Sequence, residues 1–549
     1  MFKKFVFYFF LLTLILPNVL LSFTEPLGVA GAIANVLLPG GIIYMLMSIS
    51  PRLGRTIWLM FPLIFFAAFQ IVLLSLYGRS IIAVDMFLNL VTTNAAEVSE
   101  LLGNMFPIIG VVILLYVPSL VTACVFIRRK VRLGKGFLKR NRLAAGTVSI
   151  AGVLALITAI FTEPSYAVSN DLYPLNVGYN IYIACDRTAR TADYHETSAA
   201  FSYGAVATHP ADERELYLLI IGETSRAENW QLLGYGRETN PRLSKRNDVM
   251  VCSQAYSESN TTHKSVPMLL SPVDAMTFGE YIYKVKSIIT AFKDAGFATA
   301  FLSNQRYNHS FIDFFAMESD TVSFMKETGK INLSLDVNSR PDSELLPILD
   351  SIMAAGNKKQ LVVLHTYGSH FNYRDRYSKE DIRFTPCDYD EATKEQRPQL
   401  INAYDNTIVA TDRFIADCIS RLDSIEGLRG GILYTSDHGE DIFDDGSGNF
   451  LHASPRPSIH QVHVPMLAWL SRDYCGSYPA EAARMRSNML KLVSTSRSYF
   501  PTALDMAGIK VSGNALTDTT ASLCSPAYAA RKPLYLSDHN EAVALKDIL

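Results

Sequence analysis

The sequence lacks a strong excess of charge, closely spaced cysteine pairs and internal repeats, and each absence excludes a class of protein. Its 549 residues hold 50 Lys and Arg against 52 Asp and Glu, a formal net charge of −2 without a strongly basic domain, so nucleic acid is not expected as a partner. None of the 7 cysteines stands in a CxxC pair, which excludes a zinc ribbon. Histidine is absent from the first 163 residues, so site chemistry is expected in the second part of the chain, which holds all 11.

Long apolar runs, by contrast, fill the first part of the chain. Since a helix needs about 20 apolar residues to cross a bilayer, the pattern predicts a five-span membrane domain over residues 1–163. The predicted spans are Phe5–Phe23, Val29–Ile49, Ile57–Tyr77, Phe106–Phe126 and Leu143–Thr162. Lys3 and Lys4 before the first run are also compatible with a cleaved signal peptide, but no small-residue cleavage site follows and more spans do.

Basic residues in the short loops predict the orientation of these spans. They precede span one, separate spans two and three, and separate spans four and five, so these three segments are expected in the cytoplasm. The fifth span then leads out of the cytoplasm. A linker is expected over residues 164–213, with Pro164, Pro174 and many small polar residues, followed by a globular domain over 214–549.

The globular part alternates strand-like and helix-like segments, which favours an α/β domain with a largely parallel sheet between helices. The predicted strands are Leu216–Ile221, Val249–Ala255, Ala298–Ser303, Leu361–His365, Gly431–Thr435 and Val462–Leu470. The predicted helices are Lys284–Ala295, Asp342–Ala355, Gln399–Leu422 and Ala480–Leu492.

Ligand-type side chains follow two of these strands. Glu223 comes directly after the first, and Asp437 and His438 come directly after Gly431–Thr435. Ligands bind at the carboxyl ends of strands in open α/β sheets. Glu223 taken alone is either a helix cap or a metal ligand; the three side chains together indicate one metal held by two carboxylates and an imidazole, a set that zinc accepts.

A hydroxyl-rich segment, Ser257–Leu270, is the candidate source of a nucleophile. It reads SESNTTHKSVPMLL and ends in a short apolar helix-like run. A Thr or Ser here either caps that helix or, beside a metal that lowers the pKa of its hydroxyl, attacks phosphorus.

One loop between the spans carries a polar stripe. Asn89, Thr93 and Glu97 are spaced four apart, so on a helix they share one face. The stripe is either a solvated face or a polar shelf for a lipid headgroup.

Five segments in this order behind the predicted spans resemble the bacterial phosphoethanolamine transferases, which include lipid A modifiers and the mobile colistin-resistance enzymes. They are GETSRAENWQLLGYGRETNP, NTTHKSVPMLL, LHTYGSH, INAYDNTIVATDRFI and TSDHGE. That family belongs to the alkaline phosphatase and sulfatase superfamily. The resemblance covers the chain from the first span to about Gly508, and implies that the domain over 214–549 has this fold.

The resemblance implies roles for individual residues. It implies metal ligands at Glu223, Asp437 and His438, and a metal-bound nucleophile at Thr262, which is placed by the following Ser-Val-Pro although Thr261 is adjacent. It implies that His370 and His452 contact the phosphoryl group or a second metal ion, and that Asn89, Thr93 and Glu97 engage the headgroup.

The resemblance also implies an activity and a location. Phosphoethanolamine would pass from phosphatidylethanolamine to lipid A or another glycan of lipopolysaccharide through phospho-Thr262, with release of diacylglycerol and a consequent resistance to polymyxins. One tightly bound zinc is implied, with a second left open. The chain would be a monomer in contact with membrane lipids, in the inner membrane of a bacterium, with its catalytic domain in the periplasm.

Departures from the family pattern keep alternatives open. Glu258 and Met268 stand where lipid A modifiers often carry disulfide-bonded cysteines, and the six exported cysteines are too widely spaced to be paired from sequence. A glycerol-phosphate transferase of the lipoteichoic acid synthase type and a non-catalytic binding protein remain alternatives. A sulfatase is disfavoured because no Cys or Ser stands in a C/S-x-P-x-R setting.

Other polar residues receive smaller roles. His365 is expected to be structural, His460 and His463 to support the site from outside it, and His263 either to contact phosphate or to be solvated. Three residues of the predicted long helix are expected to pack or to hydrogen-bond locally: Asn402, Tyr404 and Asp405.

Overall fold

The computed structural model describes residues 1–78, 81–92, 95–307, 309–326, 340–444, 448–512 and 516–549. Its contacts divide the chain into two compact units. The first consists mainly of residues 1–91 and 101–186, and the second mainly of residues 187–442 and 451–549. The predicted linker over 164–213 is therefore shared between the two units.

Every regular element that the structure describes before Ala205 is a helix. Its helices are α1 (Phe2–Thr24), α2 (Val29–Ile49), α3 (Leu53–Leu59), α4 (Phe61–Tyr77), α5 (Val84–Thr92), α6 (Ala95–Arg128), α7 (Lys135–Thr162), α8 (Val168–Asp171), α9 (Leu175–Ala192) and α10 (Tyr194–Thr197). Four of them, α1, α2, α6 from Met105 onward and α7, are long and apolar enough to cross a membrane. These four correspond to predicted spans one, two, four and five.

The third predicted span, Ile57–Tyr77, is not one straight helix. It is divided at Met60 into α3 and α4, which meet at an angle of 57° and count as a fifth span only if taken together. Pro62 lies in the first turn of α4. Proline has no N–H and its ring crowds the carbonyl four residues earlier, so the break at Met60 lies where a continuous helix would lose a hydrogen bond. Pro17 of α1 and Pro39 of α2 lie within unbroken helices, so Pro62 favours the break without requiring it.

A carboxylate from the end of α7 caps the start of α2. Glu163 accepts hydrogen bonds from the N–H groups of Ala30 (2.8 Å) and Gly31 (3.2 Å). A Cβ on Gly28 would lie 2.1 Å from the Glu163 carboxyl carbon, so only glycine leaves room for it. The first N–H groups of a helix have no partner within the helix, and a negative charge there is also favoured by the helix dipole.

The second unit contains a seven-stranded sheet, and helices alternate with its strands along the chain. The strands are β1 (Ala205–Ala207), β2 (Glu215–Gly222), β3 (Met250–Cys252), β4 (Ala255–Tyr256), β5 (Ala298–Arg306), β6 (Thr321–Lys326), β7 (Lys359–His365), β8 (Arg429–Ser436), β9 (Asp441–Ile442), β10 (Phe450–Leu451), β11 (Met466–Leu470), β12 (Val493–Ser494), β13 (Ile509–Val511), β14 (Leu534–Leu536) and β15 (Ala542–Ala544). The helices are α11 (Thr262–Leu270), α12 (Phe278–Tyr281), α13 (Ile288–Asp294), α14 (Phe311–Ala316), α15 (Leu345–Ala354), α16 (Arg397–Asp423), α17 (Ile459–Val462), α18 (Arg472–Ser477), α19 (Pro479–Asn488) and α20 (Thr495–Met506).

The strand order of the large sheet is β3-β11-β8-β2-β7-β5-β6. Strand β2 is parallel to both of its neighbours, β7 and β8, and β11 runs antiparallel to β8 and β3. All eight residues of β2 are buried, as expected for a central strand covered on both faces. The prediction of a largely parallel sheet between helices is confirmed, and the carboxyl ends of β2, β7, β8 and β5 meet at one edge.

Some predicted elements have other bounds. The strand predicted over Val462–Leu470 begins only at Met466, because Ile459–Val462 forms the short helix α17 and Pro465, which has no N–H, precedes the strand. The strand predicted over Val249–Ala255 is interrupted between β3 and β4. Strand β5 runs three residues beyond its predicted end at Ser303.

Candidate metal and nucleophile site

The site begins where β2 ends. Glu223 is 1% exposed, and its carboxylate accepts hydrogen bonds from Thr224 Oγ1 (2.8 Å), Thr262 Oγ1 (3.1 Å) and Gln305 Nε2 (3.0 Å). None of these bonds comes from the N–H of a following helix, so the carboxylate acts as part of a side-chain cluster and not as a cap. Thr224 has φ of 59°, a conformation that non-glycine residues adopt only where the surrounding structure enforces it.

Asp437 and His438 lie beside Glu223 because their strands are neighbours. Gly222 of β2 is paired with Ser436 of β8, and the Asp437 N–H donates to the Gly222 carbonyl at 3.0 Å. His438 Nε2 lies 3.3 Å from both Glu223 Oε1 and Asp437 Oδ2. Glu223, Asp437 and His438 each offer a ligand atom within 4.8 Å of the others, and all three side chains are buried.

The hydroxyl that faces this cluster belongs to Thr262. It is the first residue of α11, and its Oγ1 lies 3.1 Å from Glu223 Oε1 and 3.1 Å from His438 Nε2. Thr261, the N-cap, instead has its Oγ1 3.1 Å from the Ser259 hydroxyl. Of the two threonines that the sequence leaves open, Thr262 is the one whose hydroxyl contacts the carboxylate and the imidazole; its role as nucleophile stays a prediction.

Burial shifts the pKa values of the three ionisable side chains in the cluster. Burial, followed by the negative charge of Asp437, raises the pKa of Glu223 well above its usual range. Burial raises the pKa of Asp437 to about 7 and lowers the pKa of His438 to about 4. Because two buried carboxylates repel one another and favour their neutral forms, a divalent cation among them fits the charge, and two carboxylates, a hydroxyl and an imidazole fit the oxygen and nitrogen ligands of zinc.

His370 and His452 extend the site on one side. Together with Glu223 they form a second group whose ligand atoms lie within 4.8 Å of each other, and the His438 and His452 rings are 4.3 Å apart between centroids. Burial lowers the pKa of His452 to about 4 and that of His370 well below its usual range. Both imidazoles are therefore neutral at physiological pH.

The loop that carries His370 packs directly on the backbone of Glu223. The Ser369 N–H donates to the Glu223 carbonyl at 2.9 Å. Gly368 has φ of +49°, and a Cβ there would lie 2.5 Å from the same carbonyl oxygen. The glycine of the Gly-Ser-His motif is required by this close approach.

Three further side chains, which the sequence patterns did not identify, contact the members of this cluster. Gln305 donates to Glu223 and to the Thr366 carbonyl (2.9 Å), Ser265 donates to Asp437 Oδ2 (3.2 Å), and buried Glu440 lies 3.6 Å from His452 Nδ1. Gln305 lies near the carboxyl end of parallel strand β5, the kind of position that identified Glu223 and Asp437 in the sequence. It was not identified because the strand was predicted to end at Ser303, two residues earlier.

The remaining candidates lie in several places. His365 is buried with its Nδ1 3.1 Å from the Ser303 hydroxyl, His460 pairs with Glu228 (2.6 Å), and His463 Nε2 lies 3.1 Å from the Ser253 carbonyl. Tyr404 does more than pack locally, since its hydroxyl donates to the Thr224 carbonyl at 2.8 Å. Asn402 and Asp405 hydrogen-bond to Arg237.

The predicted headgroup stripe cannot be placed. Thr93 lies outside the described residues, and so do the side chains of Asn89 and Glu97, although their backbones belong to α5 and α6. Their role stays a prediction.

Glu258, which the resemblance places at a cysteine position, is buried. Its carboxylate accepts from Ser494 Oγ (2.7 Å) and from the Ala275 N–H (2.8 Å). None of the seven cysteines, all within the described residues, forms a disulfide. Burial raises the pKa of Glu258 from 4.5 to about 7.

This raised pKa predicts a pH-dependent effect of Glu258→Gln. Because the pKa of Glu258 is higher in the folded protein than in the unfolded chain, its protonated form stabilises the fold. This contribution of about 3 kcal/mol is complete below pH 4.5 and is lost as pH rises through 7. The variant cannot ionise, so its thermal midpoint should exceed that of the wild type clearly at pH 8 and little at pH 5, as measured by scanning fluorimetry of the full chain. Exposed Glu280→Gln is the control, and an equal gap at both pH values would contradict the prediction.

The fold and the site together define a class of protein, an α/β domain of alkaline phosphatase type in which a half-buried threonine hydroxyl faces a group of side chains that could hold a metal ion. The family model described as Sulfatase matches residues 215–509, more than half of the chain, and members of this superfamily are metal-dependent. Phosphatidylethanolamine transferase Mcr-1 of Escherichia coli is 30% identical over 415 residues, which cover 71% of this chain and 73% of that protein. The chain therefore belongs to the sulfatase family and, within it, to the phosphoethanolamine transferases, as the motifs predicted.

Two further relatives agree with this assignment. Phosphoethanolamine transferase EptA of Salmonella typhimurium is 30% identical over 325 residues, which cover 57% of each chain, so this chain matches little more than half the length of that relative. The integral membrane protein lipooligosaccharide phosphoethanolamine transferase A of Neisseria meningitidis has the same fold. It matches with a TM-score of 0.74 and 23% identity, over 94% of this chain and 97% of that one.

Proposed function

We propose that this chain transfers phosphoethanolamine from phosphatidylethanolamine to lipid A or another glycan of lipopolysaccharide, and releases diacylglycerol. The observation that carries the proposal is the position of the Thr262 hydroxyl, 3.1 Å from both Glu223 and His438 at the carboxyl edge of the sheet. The names of the relatives, phosphoethanolamine and phosphatidylethanolamine transferases, support the donor and the transferred group.

The proposed cofactor is zinc. Glu223, Thr262, Asp437 and His438 would hold one ion tightly, and their donor atoms are an oxygen and nitrogen set that suits it. When bound, the ion lowers the pKa of the threonine hydroxyl and offsets charge on the phosphoryl oxygens. His370 and His452, with Glu223, form the second group, which in this proposal either contacts the phosphoryl group or holds a second zinc.

The reaction would proceed in two displacements at phosphorus. In the first, Thr262 Oγ1 bonds to phosphorus while the bond from phosphorus to the diacylglycerol oxygen breaks. The threonine proton passes to Glu223, whose Oε1 lies 3.1 Å from Thr262 Oγ1, and the diacylglycerol oxygen takes up a proton as it leaves. In the second, an oxygen of the acceptor bonds to phosphorus and the bond to Thr262 breaks.

Neighbouring side chains would hold this geometry and stabilise the transition state. His452 is buried and neutral, so its N–H group can donate to a phosphoryl oxygen as charge develops. The Nδ1–H of His370 donates to the Phe371 carbonyl, so its Nε2 presents a lone pair that suits a second metal ion. Gln305 holds the orientation of Glu223 through its two hydrogen bonds. Support of this kind keeps ligands and nucleophile in place before substrate arrives.

The membrane helices suit a donor that stays in the bilayer. We propose five spans over residues 1–163, a linker over 164–213 and a catalytic domain over 214–549 in the periplasm, with Asn89, Thr93 and Glu97 near the donor headgroup. The four long apolar helices and the bent pair α3–α4 support this arrangement. The proposed form is a monomer anchored in the bacterial inner membrane.

The test uses the full chain in mixed micelles with zinc, lipid A, and phosphatidylethanolamine labelled in its ethanolamine group. Label in lipid A and an equal amount of diacylglycerol are expected. Label transferred only from headgroup-labelled phosphatidylglycerol would instead indicate a glycerol-phosphate transferase. Free phosphoethanolamine without labelled lipid A would indicate a hydrolase, and no turnover with zinc bound would indicate a binding protein.

A further inference from the structure

The loops on one side of the first unit carry many basic residues in segments that contain no acidic residue. Twelve basic residues lie at the start of α1, between α2 and α4, and around the end of α6 and the start of α7: Lys3, Lys4, Arg52, Arg55, Arg128, Arg129, Lys130, Arg132, Lys135, Lys139, Arg140 and Arg142. No Asp or Glu occurs in residues 1–24, 26–84 or 101–162. Counter-charge for this side must therefore come from outside these segments.

Four of these basic residues surround one cavity. Arg52, Arg55, Lys130 and Arg132 line a space of about 260 Å³, whose other lining residues include Phe126 and Ile127 and no carboxylate. In the part of the chain that the structure describes, none of the four side chains forms an ion pair. The cavity therefore combines concentrated positive charge with an apolar wall.

Close packing and backbone hydrogen bonds fix the walls of this cavity. A Cβ on Gly54 would lie 2.5 Å from the Ala123 carbonyl, so α3 and α6 approach as closely as glycine permits. The Leu133 N–H donates to the Pro51 carbonyl at 2.9 Å, and Lys3 Nζ donates to the Arg132 carbonyl at 2.7 Å. The backbone segments that carry the four cations are thus held close together around this space.

We propose that this cavity binds the phosphate of an anionic phospholipid whose headgroup lacks an ammonium group. Four cations attract a phosphodiester and repel the ammonium of phosphatidylethanolamine, so the site differs in chemistry from one for the proposed donor. Basic pockets between membrane helices bind anionic headgroups in this way. Exposed apolar side chains of the neighbouring helix segments, Trp58 (41%), Phe61 (46%) and Ile127 (40%), provide a surface for the acyl chains.

The test measures lipid binding to the delipidated full chain in detergent by native mass spectrometry. Dioleoylphosphatidylglycerol should bind saturably, one molecule per chain, and at least about tenfold more tightly than dioleoylphosphatidylethanolamine. The double variant Arg55→Gln/Lys130→Gln should lose about tenfold or more in that affinity. The matched control Lys139→Gln/Arg140→Gln removes two exposed cations that do not line the cavity and should bind as the wild type does.

Three outcomes would overturn the proposal. Equal losses in the two double variants would mean that only overall charge attracts the lipid. Equal binding of the two lipids to the wild type would remove the headgroup preference, and displacement of the lipid by equimolar inorganic phosphate would mean a site for free phosphate. If Arg55→Gln/Lys130→Gln does not fold, Arg52→Gln/Arg132→Gln tests the same cavity, and the comparison of lipids on the wild type needs no variant.

Discussion

Replacing Thr262 with alanine should lower diacylglycerol release from phosphatidylethanolamine by about four orders of magnitude or more, the scale seen when a nucleophile is removed from a covalent mechanism. The Thr262 hydroxyl is the only hydroxyl that contacts both Glu223 and His438 among the described residues. Alanine removes the attacking oxygen and leaves the partly exposed start of α11 otherwise unchanged, so the loss should appear in the rate and not in the thermal midpoint. The assay is single-turnover release of diacylglycerol by the full chain.

Two matched variants make this result specific. Thr262→Ser retains a hydroxyl and should restore a measurable fraction of the rate. Thr261→Ala removes the neighbouring hydroxyl, which contacts Ser259 and not the carboxylates, and should keep most of the activity. A dominant loss in Thr261→Ala with an active Thr262→Ala would assign the nucleophile to Thr261 instead.

Replacing Asp437 with asparagine should weaken zinc binding by more than about 100-fold. Changing a residue that only orients a metal ligand costs up to about 100-fold in affinity, and Asp437 is proposed as a ligand itself. Asp437 is fully buried beside Glu223 and His438, so the amide removes the negative charge that a cation there would neutralise. Activity should fall in parallel, because the ion no longer activates Thr262. Zinc content after dialysis, measured by atomic emission, checks the first effect.

Thermal unfolding separates loss of the metal from loss of the fold. Zinc should raise the midpoint of the wild type, since a ligand at 100 times its Kd stabilises the folded state by about 2.7 kcal/mol, and it should leave that of Asp437→Asn unchanged. Without metal, the variant should be at least as stable as the wild type because it relieves the repulsion between two buried carboxylates. Glu228→Gln, which changes a carboxylate outside the group, should bind zinc normally; equal zinc binding by Asp437→Asn would contradict the assignment.

The sequence predicted the parts of the site that follow directly from strand ends. Glu223, Asp437 and His438 each come immediately after a strongly apolar strand, and β2 and β8 are neighbours in the sheet, so the three side chains meet without any information from the loops. The motif order then pointed to Thr262, and its contact with Glu223 distinguishes it from Thr261. His370 and His452 came only from the resemblance, because nothing in the spacing alone says that their loops approach β2.

Features that depend on tertiary contacts escaped prediction. Gln305 lies in the last, less apolar part of β5, beyond the predicted strand end at Ser303, where the strand still reaches Arg306 and pairs it with Lys326. The hydroxyl of Tyr404 reaches the Thr224 backbone from the long helix α16, which only the packing of that helix reveals. The bend between α3 and α4 had a local signal in Pro62, but the length of the apolar run suggested one straight span.

Mass spectrometry of the full chain, after brief reaction with phosphatidylethanolamine and zinc in the absence of an acceptor, can detect the phospho-threonine intermediate itself. One added phosphoethanolamine per chain is expected, located by peptide mapping at Thr262, absent from Thr262→Ala and lost when lipid A is added. An adduct on another residue, or transfer to lipid A with no adduct on the chain, would contradict a mechanism through phospho-Thr262.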